Sequence, residues 1–202
     1  MRDTLSGSLS AVLRSALFLA VLAVPAAAQD APGAVSAFTH VTVLPMDTSR
    51  TLPDQTVLVR GDRIVQVGPS ARVRVPAGAR VIDGRGKFLM PGLAEMHGHI
   101  PPPQAPQEYT ESVLFLYLAN GITTVRGMLG APNQLPLRER AARGELLSPT
   151  LYLAGPSFNG SSVSSPEEAV RMVRQQKAEG WDLLKVHPGL TRAEYDAMAR
   201  TA

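Results

Sequence analysis

Apolar and polar residues alternate in short runs between about Ala37 and Met90, and turn residues separate the runs. Alternation with a period of two predicts β-strands that bury one face. The predicted strands are residues 38–44, 56–60, 63–67, 80–83 and 87–90. Gly61-Asp62 and Gly84-Arg85-Gly86 have the composition of turns that join antiparallel strands. We therefore expect a small antiparallel β-sandwich segment over residues 37–90.

After Pro91 the pattern changes to short apolar runs that alternate with longer stretches of helical periodicity. This alternation predicts βα units around a parallel sheet. Ser165 with Glu168 and Thr191 with Glu194 have the spacing of helix capping boxes. The expected strands are residues 93–97, 122–126, 150–154 and 183–187, and the expected helices are 108–120, 135–147, 166–179 and one that begins near Arg192 and ends the chain.

Two α/β architectures fit four βα units in a row. A doubly wound sheet usually has a glycine-rich phosphate loop after its first strand, whereas this chain has His97-Gly98-His99 there. A (β/α)8 barrel has eight units, and residues 91–202 supply only the first four. We therefore expect a partial TIM-like barrel, and truncation of a longer chain is one explanation for its length.

The first 28 residues have the features of an export signal: two arginines, an apolar run at 16–24 and the small residues Ala26-Ala27-Ala28. The run is short for a membrane span, which needs about 20 apolar residues; an uncleaved anchor is the alternative. Residues 29–36 are expected to be a flexible leader. We therefore expect an exported protein, periplasmic or secreted, with no stable membrane span after cleavage.

The amino-acid composition excludes several kinds of site. A chain with 45% hydrophobic and 18% charged residues is typical of globular proteins. The sequence has no cysteine, which excludes disulfides and thiolate metal sites. The net charge of +3 comes from scattered residues, so we predict no nucleic-acid binding. Lysine is scarce, and one of the three lysines, Lys185, lies in the last predicted strand of the α/β region.

Functional side chains in parallel α/β folds gather at the carboxyl ends of the strands. His97 and His99 point the same way from a strand and could bind one divalent metal, although two solvated loop histidines are the alternative. Lys185 is predicted to face the barrel interior. There it either extends its amine to the barrel mouth, where it is solvated or salt-bridged, or is converted by carbon dioxide into a metal-bridging carboxylate. The residues at these strand ends are His97, His99, Arg126, Ser157, Asn159, Lys185 and His187.

Three motifs resemble one family. Residues 90–99, Met-Pro-Gly-Leu-Ala-Glu-Met-His-Gly-His, resemble the first-strand signature of the metal-dependent amidohydrolase superfamily. Residues 121–126 resemble the second strand of its imidazolonepropionase-like and prolidase-like branch, and residues 182–186 resemble the fourth strand, which bears a carboxylated lysine. The β segment before Met90 is similar to that family's N-terminal β-sandwich. The resemblance covers about residues 37–202, the N-terminal half of the family's domain.

The resemblance implies hydrolysis of carbon–nitrogen bonds in small amides or dipeptides by water that divalent metals activate. His97 and His99 would bind the more buried of two metals, zinc by default, and carboxylated Lys185 would bridge both. Arg126, Asn159 and His187 are candidates for substrate binding, and His187 is also a candidate catalytic residue. The family's other metal ligands, including the aspartate that acts as general base, come from strands that this sequence does not contain. The site is therefore expected to be incomplete and the activity of this chain doubtful.

The sequence also departs from the family pattern and leaves alternatives open. Glu95 stands where the family commonly has Asp, and Gly127 stands where many relatives have an acidic residue. A non-catalytic secreted module that binds metal or a partner is one alternative, and a phosphotriester or lactone hydrolase on the same scaffold is another. Unpaired strand edges of a half barrel would favour pairing with another chain, including a homo-oligomer.

Overall fold

The structure is a computed structural model that describes residues 33–202, and these residues form two compact units. The first contains residues 33–41 and Pro53–Gly86, and the second contains Thr42–Leu52 and Lys87–Ala202. The predicted export signal and the start of the predicted leader lie outside the described residues. Within the described part of the chain, no helix is long and apolar enough to cross a membrane.

The β-rich segment is a mixed sheet, so the prediction of an antiparallel sandwich segment was wrong. Strands β1 (Val35–Val43), β2 (Leu52–Arg60), β3 (Arg63–Pro69) and β4 (Arg80–Asp83) lie in the order β3-β2-β1-β4. Strands β2 and β3 pair antiparallel, as their short turn predicts, but β4 pairs parallel with β1. The ten residues between β3 and β4 are too long for a tight hairpin and let β4 return beside β1.

The predicted hairpin at residues 84–86 is also absent from the described sheet. Strand β5 (Phe88–Leu89) pairs parallel with Thr42 and Val43 at the end of β1 rather than with β4. Both strands that flank the glycine-rich turn therefore use β1 as their partner. The chain therefore pairs with the first part of β1 before the turn and with the last part of β1 after it.

The second unit has the predicted alternation of strands and helices. Its parallel sheet has the order β6-β7-β8 and is formed by β6 (Leu93–Gly98), β7 (Ile122–Gly127) and β8 (Thr150–Leu153). The helices are α1 (Gln107–Ala119), α2 (Gln134–Ala142), α3 (Pro166–Glu179) and α4 (Arg192–Thr201). Helix α2 ends five residues before its predicted end, and Gly144, with φ of 70°, follows shortly after it.

The fourth predicted strand, residues 183–187, does not form a strand. Only two isolated parallel bridges join it to the chain after β8, Ala154 with Leu183 and Phe158 with Val186. Pro156 lies between the two bridges and has no N–H group to donate to a ladder. The described residues of this unit therefore form three parallel strands and one bridged segment, where four strands were predicted.

Two apolar clusters support the carboxyl ends of the strands. One lies between the sheet and its helices and contains Leu114, Val125, Leu153 and Trp181. The other contains Phe158 together with residues of α3 and α4. Burying one large apolar side chain stabilises a fold by roughly 1.5–3 kcal/mol. The strand ends and the segment that follows β8 therefore rest on packed cores.

The helix boundaries follow from local chemistry. Thr191 and Glu194 form the complete capping box that their spacing predicts. At α3 only half of the predicted box forms: Ser165 Oγ accepts a hydrogen bond from the Glu168 amide, while the Glu168 carboxylate accepts from Ser164. Gly180 ends α3 with φ of 93°, a left-handed conformation that glycine adopts without strain.

Candidate functional site

The two histidines lie together at the end of β6. The centroids of the His97 and His99 rings are 5.6 Å apart, and the ring planes differ by 29°. Both side chains are exposed to solvent, and Glu95 Oε1 accepts a 2.8 Å hydrogen bond from the His97 amide. The two imidazoles in this arrangement place ring nitrogens on the same side of the strand, and imidazole nitrogen is a common metal ligand in proteins.

Gly98 allows this strand end to lie close to β7. A Cβ atom at position 98 would be 2.7 Å from Val125 Cγ1, which is closer than carbon atoms pack. Gly98 pairs with Gly127 of β7, so two glycines face each other at this level of the sheet. The close approach of this strand end to β7 therefore depends on the absence of a side chain at position 98.

Lys185 is the third residue of the cluster. Its side chain is buried, with 8% of the residue exposed, and its Nζ lies 3.3 Å from Nε2 of His97. Among residues 33–202, no carboxylate forms an ion pair with Lys185. The structure thus brings together the three residues that the sequence predicts as metal ligands, although 88 positions separate His97 from Lys185.

Main-chain contacts hold the segment that carries Lys185. The Phe158 amide donates to the Lys185 carbonyl and the His187 amide donates to the Phe158 carbonyl, both at 2.8 Å. At the start of the segment, Asp182 Oδ2 accepts from the Leu153 amide at 2.8 Å and from Arg138 Nη1 at 2.7 Å. Phe158 and Asp182 therefore take the place of a regular strand ladder.

Arg126 lies on β7 opposite Tyr152 of β8. Its Nε atom is buried and has no hydrogen-bond partner among the described residues. No ion pair of residues 33–202 includes its guanidinium. Because the Arg126 guanidinium has no such partner among these residues, its N–H groups can donate hydrogen bonds to an anion near the sheet.

The other candidates from the strand ends differ in their contacts. Asn159 directs its amide into its own loop, where it bonds Ser157 and Ser161. His187 is partly buried, and within the described residues its imidazole makes no hydrogen bond and no stacked ring contact. The structure therefore joins His97, His99 and Lys185 but does not join Asn159 or the His187 ring to them.

The chemistry of the donors decides whether a metal fits. In the part of the chain that the structure describes, no group of three His, Asp or Glu side chains could hold a metal ion. His97 and His99 supply two nitrogen donors, but a lysine ammonium has no lone pair to donate. The cluster would fit a divalent metal only if the Lys185 amine were converted to a carboxylate, because oxygen donors would then join the two nitrogens.

Sequence reasoning missed the residues that shape the Lys185 segment. Pro156 interrupts the ladder after β8, and its carbonyl accepts a 2.7 Å hydrogen bond from Gln176 Nε2. Pro156 lies two residues after the predicted strand 150–154, and a proline at that position indicates that pairing does not continue along the chain. Neither the residue type nor the periodicity around Phe158 predicts that its main chain bonds to the Lys185 segment.

Comparisons with known proteins cover part of the chain. No protein-family model matches it. A dihydroorotase from Anaeromyxobacter dehalogenans is 35% identical over 104 residues, which are 50% of this chain and 22% of the relative. An adenine deaminase from Rubrobacter xylanophilus is 34% identical over 96 residues, 44% of this chain and 16% of the relative. The chain thus matches about a fifth of the length of these curated relatives.

The fold is also similar to that of a solved structure. A protein from Bifidobacterium longum named as a prolidase superposes with a TM-score of 0.72 and 26% identity, over 85% of this chain and 47% of that protein. The similarity therefore extends over most of this chain but under half of the other one. Together with the two sequence relatives, it places the part of the chain that these proteins cover in the amidohydrolase superfamily.

Proposed function

We propose that the chain contributes to a metal-dependent hydrolase that cleaves carbon–nitrogen bonds in small amides or dipeptides. The names of the relatives support hydrolysis of such bonds, and the similarity to a protein named as a prolidase favours the prolidase-like branch. The observation that carries the proposal is the buried Lys185 amine, 3.3 Å from His97 Nε2 and without an acidic partner among residues 33–202.

His97 and His99 would hold a divalent metal, zinc by default, through ring nitrogens, and Lys185 would add oxygen donors after carboxylation. A divalent metal in such a site lowers the pKa of water and polarises a carbonyl group. In the carboxylation, the uncharged Lys185 amine attacks carbon dioxide, an N–C bond forms and one proton is released. The product is a carbamate with one negative charge.

Electrostatics favour this modification. Burying an unpaired charge costs several kcal/mol in folded proteins, and Lys185 Nζ has a histidine nitrogen, not a carboxylate, at hydrogen-bond distance. A cation between the histidines would repel an ammonium but attract a carbamate. Carboxylation of Lys185 would therefore turn an unfavourable neighbour of the metal into a ligand.

Arg126 and His187 are proposed to face the substrate. The free donors of the Arg126 guanidinium suit a carboxylate, such as the one at the end of a dipeptide. His187 lies two residues after Lys185, and its imidazole has no partner of its own among the described residues. Either side chain could orient a small amide beside the metal ligands without binding the metal.

The remaining ligands and the general base would come from a further polypeptide segment, as in a barrel of which residues 91–202 form the first half. We therefore expect the 202-residue chain alone to bind metal and to hydrolyse amides slowly or not at all. We also propose that residues 1–28 direct export to the periplasm or outside the cell, which N-terminal sequencing of the mature protein would test.

Metal content tests the proposal. The full chain is prepared with zinc and bicarbonate, and bound metal is counted by elemental analysis in the wild type, Lys185→Ala and Lys177→Ala. Lys177 is the matched control because it is an exposed lysine on α3. We expect bound zinc in the wild type and in Lys177→Ala and its loss in Lys185→Ala. Equal zinc content in all three proteins would show that Lys185 is not a ligand.

A second candidate function is a secreted module that binds metal without catalysis. The lack of a third His, Asp or Glu ligand in the described part of the chain favours it. Amide hydrolysis separates the two functions, measured on the chain and on a longer relative that includes a complete barrel. Zinc bound by both proteins with turnover only in the longer one would support the half-site, whereas zinc without turnover in both would support the module.

A further inference from the structure

The loop after β8 is closed by the side chain of one residue, Asn159. Its Oδ1 accepts hydrogen bonds from the Ser161 amide at 2.8 Å, from Ser161 Oγ at 2.6 Å and from the Ser162 amide at 3.1 Å. Its Nδ2 donates to Ser157 Oγ at 2.9 Å and to the Ser157 carbonyl at 3.4 Å. Both ends of the amide are therefore used inside the loop.

Ser162 adds a second closure to the same loop. Its Oγ donates to the Ser157 carbonyl at 2.8 Å and accepts from the Asn159 amide at 3.0 Å. The two side chains thus connect the residues on either side of Phe158 and restrict the main chain through it. The Asn159 carboxamide contributes contacts that one hydroxyl could not, because its two N–H donors and its oxygen acceptor lie on different atoms and reach different partners.

Phe158 lies inside this loop, and its main chain holds the segment that carries Lys185 in position. Its side chain is fully buried, and its N–H and C=O bond the residues on each side of Val186. Because Pro156 interrupts the ladder, the preceding bridge is at Ala154 and Leu183. Lys185 therefore depends on Phe158 rather than on continuous strand pairing.

The far side of the loop also touches the Lys185 segment. Gly160 packs against Gly189, and a Cβ on Gly160 would be 2.7 Å from the Gly189 carbonyl oxygen. Gly189 has φ of 108°, a conformation that disfavours other residues. The loop thus meets the chain on both sides of His187.

We propose that Asn159 is a positioning residue that holds Lys185 beside His97 through the main chain of Phe158, and that it does not contact the substrate. The hydrogen bonds around Asn159 and Phe158 are sufficient to support the effect on the position of Lys185. An effect on metal binding follows only if Lys185 has the proposed function.

Hydrogen exchange tests the effect on the position of Lys185. The variants are Asn159→Ala, which removes every side-chain bond, and Asn159→Asp, which keeps an acceptor and loses the donor. Ser161→Ala is the matched control, because it removes one hydroxyl bond from the same loop. We expect exchange of the His187 and Phe158 amides to be about tenfold faster in Asn159→Ala, as for loss of roughly 1.4 kcal/mol, and less so in Asn159→Asp. The Val125 amide should be unchanged.

Zinc affinity tests the effect on metal binding. Loss of residues that orient a metal ligand typically weakens metal binding by about 10-fold to 100-fold, so we expect this loss in Asn159→Ala and a near-normal affinity in Ser161→Ala. The ¹³C signal of a carbamate formed from labelled bicarbonate should weaken in parallel. This signal would not change if Asn159 contributed only to overall stability.

The outcomes separate the two proposals. If the wild type binds no zinc, the proposed function fails, while the exchange rates at His187 still decide the positioning role. If Asn159→Ala keeps wild-type exchange at His187, the positioning role is wrong. Unchanged exchange with a raised KM in an active longer protein would instead assign Asn159 to the substrate. If Asn159→Ala does not fold, Asn159→Asp provides the same measurements.

Discussion

The two sides of the candidate site are built differently. His97 and His99 end a strand that pairs along β7, whereas Lys185 lies on a segment with two isolated bridges. The strand side has main-chain pairing on the ladder and a close glycine contact with Val125. The lysine side depends on one buried aromatic residue and on a loop closed by polar side chains. The site therefore joins the end of a paired strand, whose register is irregular between Glu95 and Gly98, to a segment whose position depends on loop geometry.

The Lys185 side of the site should be more easily disturbed than the strand side. A ladder distributes its stabilisation over many hydrogen bonds, so the loss of one contact shifts the others little. Among the described residues the Lys185 segment has a few main-chain bonds, to Leu153, Gly155 and Phe158, together with the side-chain bond of Asp182. Each of these contacts therefore has a larger effect on the position of the lysine. Changes near the loop should move Lys185 without unfolding the sheet.

The largest effect is expected for Phe158→Ala. The side chain is fully buried, and truncation of a buried phenylalanine costs about 3–5 kcal/mol. We expect a lower urea midpoint and faster amide exchange at His187. Leu114→Ala is the control, because Leu114 is also fully buried but lies in the cluster on the helix side of the sheet. Similar exchange at His187 in the two variants would show that Phe158 gives the segment no specific support.

The next largest effect should come from the strand side, in Gly98→Ala. The added methyl group would overlap Val125 Cγ1, and overpacking of this kind costs about 1–3 kcal/mol. In a Val125→Ala background the same substitution should cost less, because the overlapping group is gone. Urea unfolding of the two single variants and the double variant measures this coupling. Additive effects would mean that the contact between Gly98 and Val125 does not limit the strand.

The smallest effect concerns the start of α3, which follows the loop. Hydrogen bonds from Ser164 hold the pKa of Glu168 below its ordinary value of 4.5, and Arg171 lowers it further. A carboxyl with a lowered pKa stabilises the fold at neutral pH, and this contribution is lost as the pH falls through the lowered value. Glu168→Gln should therefore be less stable than the wild type at pH 7.

Urea midpoints of the two proteins between pH 7 and acid measure this difference. The gap should close as the pH falls, because a protonated Glu168 carries no charge, as glutamine does. A gap that stays constant with pH would show that the charge of Glu168 does not contribute. Glu167→Gln is the control, because Glu167 is exposed in the same first turn.

Local signals in the sequence predicted much of the fold. The start of α4 and the end of α3 followed from Thr191, Glu194 and Gly180, because caps depend on a few neighbouring residues. The ends of β6 and β7 followed from apolar runs and turns. The candidate ligands His97, His99 and Lys185 followed from strand ends and family motifs, and the structure brings them together.

The parts that sequence reasoning missed depend on distant partners. The parallel pairing of β4 with β1 is decided by which strand lies alongside, and no residue near Arg80 encodes it. Residues 183–187 have strand periodicity, yet their partner lacks an N–H group at Pro156. Asn159 was predicted to face the substrate because of its position, which does not show where a side-chain amide will find its hydrogen bonds.

The chain has a single tryptophan, Trp181, and its place gives the protein an intrinsic optical reporter. Its indole is 7% exposed in the apolar cluster on the helix side of the sheet, and Nε1 donates to Glu179 at 2.8 Å. Trp181 also directly precedes Asp182, which anchors the Lys185 segment to β8. A structural change at the junction between the sheet and the Lys185 segment would therefore alter the emission wavelength and the quenching of Trp181. No other indole would contribute to this fluorescence.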